Sequence, residues 1–199
     1  MSAADVVLVD AGGTNIGSVR HALRRLGVVA ELSADAQRIR AASHVILPGV
    51  GAAGPGMARL REAGLVEVLR GLVQPVLGVC LGMQLLFEHS EEGDTPCLGI
   101  IAGTVRHIDG DAQRRIPHMG WNRLVVDRED RLLHGLDPDA YAYFVHSYAA
   151  PAGLQTLASV HFGAPLPAIV RERNFVGMQF HPERSAAVGA RLLGNFLGA

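Results

Sequence analysis

One stretch constrains this chain more than any other: Pro75-Val76-Leu77-Gly78-Val79-Cys80-Leu81-Gly82-Met83-Gln84-Leu85-Leu86-Phe87. Its first part is apolar, begins after a proline and has the length of a short buried strand. Its second part, from Leu81, predicts an amphipathic helix. A residue at that junction is held above the carboxyl edge of a sheet, pointing outward. Gly78 and Gly82 lack Cβ atoms, so the turn can be tight and the helix can lie close on the strand. The unpaired amides at a helix start carry partial positive charge, which favours a thiolate over a thiol. This is a nucleophile elbow with Cys80 at its tip. G-x-C-x-G is a short pattern, and a buried cysteine acting as a small hydrophobe fits it equally. The choice rests on what the remainder of the chain supplies.

The 199 residues suffice for one sizeable core, so a single domain over 1–199 is expected. A composition 49% hydrophobic with 24 glycines suits a parallel sheet buried on both faces and joined by tight turns. A net charge of −1 offers no electrostatic footprint for nucleic acid or an anionic membrane. No apolar run reaches the roughly 18 residues needed to span a bilayer, and the N-terminus does not read as a signal peptide. Neither Cys80 nor Cys97 has metal-ligand spacing, so no metal or other cofactor is expected. A disulfide between them would consume the suspected nucleophile, which points to a reduced, cytoplasmic chain.

In chain order, Val6-Val7-Leu8-Val9 predicts a buried first strand ending at Asp10, and Ala11-Gly12-Gly13-Thr14-Asn15 a turn. Ile16, Val19, Leu23 and Leu26 recur at helical spacing, with Gly27 as the stop. Thr14 occupies a position where G-x-G-x-x-G, begun at Gly12, requires glycine, which argues against a dinucleotide site. The chain has no lysine, which excludes a Walker loop. Val28-Val29-Ala30-Glu31-Leu32 predicts a second strand and Val45-Ile46-Leu47 a third. The third runs into Pro48-Gly49-Val50-Gly51-Ala52-Ala53-Gly54-Pro55-Gly56, a glycine-rich loop whose amides can face an anion. Met57, Leu60, Gly64, Val68 and Leu72 suggest a helix before the elbow strand. Alternating strands and helices predict a parallel sheet with helices on both faces and ligands beyond the carboxyl strand ends.

After Glu88 the segments 98–105, 119–126, 141–149, 156–161, 167–171 and 175–180 are short and β-rich, predicting an antiparallel or mixed extension of the sheet. Pro117-His118-Met119-Gly120-Trp121-Asn122 holds the only tryptophan. A lone Trp beside Met serves either a core or an interface. The pattern of this segment, neither strand nor helix, favours an exposed partner-contact loop. The last strand, Val176-Gly177-Met178-Gln179-Phe180, ends in His181-Pro182-Glu183-Arg184-Ser185, which by itself reads equally as a polar turn before a final helix, with Ser185 as its cap. His181 and Glu183 then share a sheet edge with Cys80. Two residues apart around a proline, they can point the same way, giving nucleophile, base and orienter.

With that constellation in place, the chain resembles the class I, or triad, glutamine amidotransferases over essentially its whole length. The resemblance is carried by Pro48-Gly49-Val50-Gly51, by Gly78-Val79-Cys80-Leu81-Gly82-Met83-Gln84 and by Gln179-Phe180-His181-Pro182-Glu183. Within the class it is similar to the glutaminase subunits of histidine biosynthesis. Its loop reads Pro-Gly-Val-Gly, where relatives in anthranilate synthesis show Pro-Gly-Pro-Gly and those in pyridoxal phosphate synthesis Pro-Gly-Gly-Glu-Ser. Segments 117–122 and 143–148 are also typical of these subunits. The resemblance implies a flavodoxin-like, mostly parallel α/β sheet. It implies Cys80 as nucleophile, His181 as proton carrier and Glu183 as its orienter. It implies an oxyanion site from the amide of Leu81 and the peptide between Val50 and Gly51, and glutamine contacts at Gly49, Gln84, Ser147 and Tyr148. It also implies a (βα)8-barrel cyclase as the partner that receives ammonia, met by Asn15, His118, Met119, Trp121, Asn122 and Arg184. Arg184 stands where many members carry lysine, and the two are not interchangeable at a tight contact.

Overall fold

The first apolar run forms strand β1 (Val6–Val9), buried at every position, in a computed structural model that describes residues 4–10, 16–112 and 114–198. There follow α1 (Ile16–Arg25), β2 (Glu31–Ser33), α2 (Ala36–Ala41), β3 (His44–Gly49), α3 (Ala53–Glu62), α4 (Val66–Arg70), β4 (Val76–Cys80) and α5 (Leu81–Gln84). The second half comprises β5 (Phe87–Ser90), β6 (Thr95–Pro96), β7 (Ile101–His107), β8 (His118–Arg123), β9 (Val125–Val126), β10 (Tyr141–His146), β11 (Tyr148–Ala149), β12 (Thr156–Phe162), β13 (Ala164–Glu172), β14 (Phe175–Met178) and α6 (Ala186–Leu197).

Among the described residues the main sheet has eight strands in the order β2-β1-β3-β4-β14-β13-β12-β9. The strands from β2 to β14 pair in parallel, and β13, β12 and β9 extend the sheet antiparallel. Successive side chains of a strand point to opposite faces, and β1 divides accordingly. Val6 and Leu8 join a core with Val19 and Leu23 of α1 and Leu192 and Leu193 of α6. Val7 and Val9 join a second core with Ile39 of α2, Met57 and Leu60 of α3, and Val68 and Leu69 of α4. Fully burying each such aliphatic side chain contributes about 1.5–3 kcal/mol. The central strands, covered on both sides, are therefore the most secure part of the molecule. Among the described residues no helix is long and apolar enough to cross a membrane, and no cluster of three or more His, Cys, Asp and Glu is set to hold a metal ion.

Several sequence expectations change. The second strand is Glu31–Ser33 rather than 28–32; Val29 stands 77% exposed in the connection after Gly27. The glycine-rich loop is shorter than 48–56, because α3 starts at Ala53; Pro55 fits its first turn, where no intrahelical amide bond is lost. The helix expected over 57–72 is two helices, separated where Gly64 turns at φ +66°. The helix after Cys80 lasts one turn, and Phe87 already belongs to β5. Residues 81–87 are buried throughout, so no polar face reported where the helix stops. The β-rich second half only partly extends the main sheet. The strands β11-β7-β5-β6 form a separate mixed sheet, and β10 and β8 an antiparallel ribbon. The 117–122 segment is thus largely strand, with alternating sides, rather than loop. The turn at 11–15, including Asn15, lies outside the described residues.

Candidate active site

Sheet order explains how residues a hundred positions apart meet. β4 lies between β3 and β14, with Gly49 opposite Cys80 on one side and Met178 opposite Val79 on the other. The chain leaving β14 therefore delivers Gln179 and His181 to the same edge as Cys80. Cys80 itself adopts φ 54°, ψ −112°. A side chain in that region costs roughly 1–3 kcal/mol and persists only when the surroundings impose it. They do so here through close approach. α5 folds back over β4 so tightly that a Cβ on Gly78 would lie 2.6 Å from the Gly82 carbonyl oxygen. A Cβ on Gly49 would lie 2.5 Å from the Gly82 nitrogen. Gly49 thus packs against the elbow, where its missing side chain lets β3 come against α5.

His181 Nδ1 donates to Glu183 Oε1 at 2.9 Å, leaving the other ring nitrogen for Cys80, to which the side chain also hydrogen-bonds. Burial opposes charge on this imidazole, but the bonds to Cys80 and Glu183 outweigh it and raise its pKa to about 10. The His181 backbone is clamped as well. Its N–H donates to the Tyr143 carbonyl at 3.0 Å, and its carbonyl accepts from the Ser185 hydroxyl at 2.8 Å. That hydroxyl also accepts from the Tyr143 N–H at 3.0 Å. Ser185 does stand before α6, but its side chain makes no capping bond and pins His181 to β10 instead.

In front of Cys80 and His181 opens a cavity of about 350 Å³. Val50, Gly51, Leu81, Gln84, Ser147 and Tyr148, all expected near substrate or oxyanion, line it. Gln84 Nε2 donates to the Tyr148 carbonyl at 2.9 Å and to Gln179 Oε1 at 3.0 Å, while Gln179 Nε2 lies 3.8 Å from Cys80 Sγ. Sequence reasoning quoted Gln179 in a motif without giving it a role. It missed Glu92 altogether: this residue lines the cavity, and its carboxylate accepts the first amide of α3, Ala53 N–H, at 2.8 Å. One glutamate of the acidic turn Glu91-Glu92-Gly93-Asp94 gave no signal of that. Cys97 is buried apart from the cavity, its thiol pushed up to about 11 mainly by burial.

The residues expected at a partner face separate. Met119 and Trp121 are 62% and 53% exposed on the outer side of β8, joined there by exposed Tyr141 of β10. Arg184 is exposed and Asn122 half-buried. His118 is buried, contrary to its expected place at the surface, because strand alternation turns it inward onto Phe144 and Phe162.

The glutamine amidotransferase class-I family matches residues 7–198. This chain belongs to that family. It is 58% identical over 193 residues to the imidazole glycerol phosphate synthase subunit HisH of Xanthomonas axonopodis pv. citri (strain 306), covering 97% of this chain and 96% of that protein. It is 54% identical, with the same coverage, to the protein so named from Xylella fastidiosa (strain Temecula1 / ATCC 700964). The crystal structure of a glutamine amidotransferase shares the fold, with TM-score 0.75 and 24% identity over 97% of both chains.

Proposed function

We propose that this amidotransferase is the cytoplasmic glutaminase subunit of imidazole glycerol phosphate synthase in histidine biosynthesis. In this reading it releases ammonia from glutamine and passes it to a (βα)8-barrel cyclase. The observation that carries the reading is the line Cys80–His181–Glu183 at the mouth of a cavity walled by Val50, Gly51 and Leu81.

The chemistry starts from the hydrogen-bonded Cys80–His181 pair: His181 takes the Cys80 proton, and its bond to Glu183 favours the charged imidazole that results. The thiolate attacks the side-chain amide carbon of glutamine. Amides of Leu81 and of the loop at Val50 and Gly51 hold the oxyanion; losing one such donor costs about 100- to 1,000-fold. His181 gives its proton to the departing nitrogen, and ammonia leaves a glutamyl thioester on Cys80. His181, now neutral, takes a proton from water, whose oxygen attacks the thioester; glutamate leaves and the proton restores the starting pair. Glu183 orients the ring throughout. Ser147 and Tyr148 line the substrate wall, and Met119 and Trp121, with Asn122, Arg184 and Asn15, meet the cyclase, as large apolar side chains do at interface centres.

The test is glutamate release from glutamine by the chain alone, with the cyclase, and with the cyclase and its nucleotide ligand, using Cys80→Ala as control. Low activity alone and a large rise in the liganded complex, absent in the variant, are expected. Full activity alone, indifferent to the cyclase and to the nature of the amide, would point to a free-standing thiol hydrolase.

A further inference from the structure

Two buried histidines, His118 and His146, take no part in the chemistry above, yet they form the middle of a hydrogen-bonded line. Asn122 is fixed in orientation, since its Oδ1 accepts from Arg123 N–H at 2.8 Å and its Nδ2 donates to the His161 carbonyl at 3.1 Å. The same Nδ2 donates to His118 Nε2 at 3.2 Å, which leaves the His118 proton on Nδ1. That N–H meets His146 Nε2 at 3.0 Å, so His146 keeps its own proton on Nδ1 and donates it to the Tyr148 carbonyl at 2.8 Å. Each bond sets the tautomer of the next ring. The two histidines are direct cross-strand partners of β8 and β10, and His118 is stacked on Phe144 at 4.9 Å between centroids. Burial lowers both imidazoles to about 4, so both rings are neutral at physiological pH and the single proton order holds.

The ends of the line give it meaning. At one end, Tyr148 walls the cavity, and its carbonyl also accepts from Gln84, which is bonded to Gln179 beside Cys80. At the other end is β8, whose inward residues His118 and Asn122 alternate with the exposed Met119 and Trp121. We propose that His118 and His146 are positioning residues that tie strand β8 to the Tyr148 carbonyl and so hold the glutamine-facing wall in register. This rests on the glutaminase reading above. A displacement of β8 by whatever docks on Met119 and Trp121 then reaches the wall through two rigid rings rather than through general packing.

The test compares His118→Phe with His118→Asn in the full chain, alone and assembled with the cyclase. Phenylalanine keeps an aromatic ring on Phe144 and Phe162 but removes both hydrogen bonds. Asparagine places an amide donor where Nδ1–H stands. For His118→Phe the KM for glutamine should rise about 5- to 10-fold with kcat changed less than about twofold; the asparagine variant should recover most of the difference. A ring that served packing alone would give the opposite order, with phenylalanine tolerated and asparagine damaging. That order, or a wild-type KM in the phenylalanine variant, overturns the proposal. Histidine ¹⁵N NMR of the unsubstituted chain gives a reading that survives a variant that fails to fold. Protons on Nδ1 of both rings are expected, and an Nε2–H on His146 overturns the line. Were the unsubstituted chain inactive on glutamine in the complex, the function reading would fall, while the NMR result would still decide the dyad.

Discussion

Gly82→Ala isolates the close approach on which the elbow depends. A Cβ at this position would fall onto the Leu47 carbonyl oxygen and within 2.9 Å of the Leu47 carbonyl carbon. Carbon atoms pack comfortably at about 3.5–4.0 Å, so β3 or α5 must retreat by about 1 Å. The obstacle is backbone of a central parallel strand, paired to β1 on one side and β4 on the other, and it has no rotamer through which to escape. Overpacking of this kind costs about 1–3 kcal/mol, and a backbone clash belongs at the upper end. The same retreat carries the loop bearing Val50 and Gly51 away from Cys80, and a 1 Å misplacement can cost about 100-fold in rate. Urea unfolding should show a loss near 3 kcal/mol with unchanged m-value, and glutamate release in the cyclase complex should fall about 100-fold. Gly194→Ala in α6 is the control. An added Cβ there meets nothing within 4 Å, so a gain of about 0.5–1 kcal/mol and unchanged turnover are expected. Gly82→Ala within about 0.5 kcal/mol and twofold of the parent chain would refute the reasoning, because the elbow would then be free to move.

Two further substitutions probe how His181 is held. Glu183→Gln removes one of the groups that raise the His181 pKa to about 10, so glutaminase turnover should drop by about 100- to 10,000-fold. Its stability effect has a definite sign with pH. A histidine raised from 6.5 to about 10 stabilises the fold fully below pH 6.5 and loses that contribution as pH rises through 10. The stability gap between parent and variant, read by unfolding from pH 6 to 10, should therefore shrink with rising pH; a constant or growing gap contradicts the assignment. Ser185→Ala leaves the Tyr143 N–H and the His181 carbonyl without their hydroxyl partner in a fully buried position. A loss of about 1–3 kcal/mol is expected, with a lower kcat at unchanged KM. An equal fall in stability with unaltered kcat would make Ser185 a structural residue only.

The sequence by itself determined the parts whose chemistry is local. Continuous apolar runs ending in turns set β1, β3 and β4, because a strand buried on both faces needs no polar side. Gly78-Val79-Cys80-Leu81-Gly82 announced a tight turn with a thiol at its tip, and His181-Pro182-Glu183 announced an imidazole beside a carboxylate. What the tertiary structure decided is everything that depends on neighbours distant in the chain. The one-turn length of α5 was illegible because residues 81–87 are buried all round and no periodicity marks the stop. The capping look of Ser185 misled because its hydroxyl found better partners on Tyr143 and His181. Glu92 entered the cavity through a turn that local composition describes only as charged. His118 and Trp121 stand three residues apart in one motif, yet the pleat of β8 sends one into the core and the other into solvent. A motif states which residues travel together along the chain; only packing decides which face each one meets, and so which of them touch substrate, partner or one another.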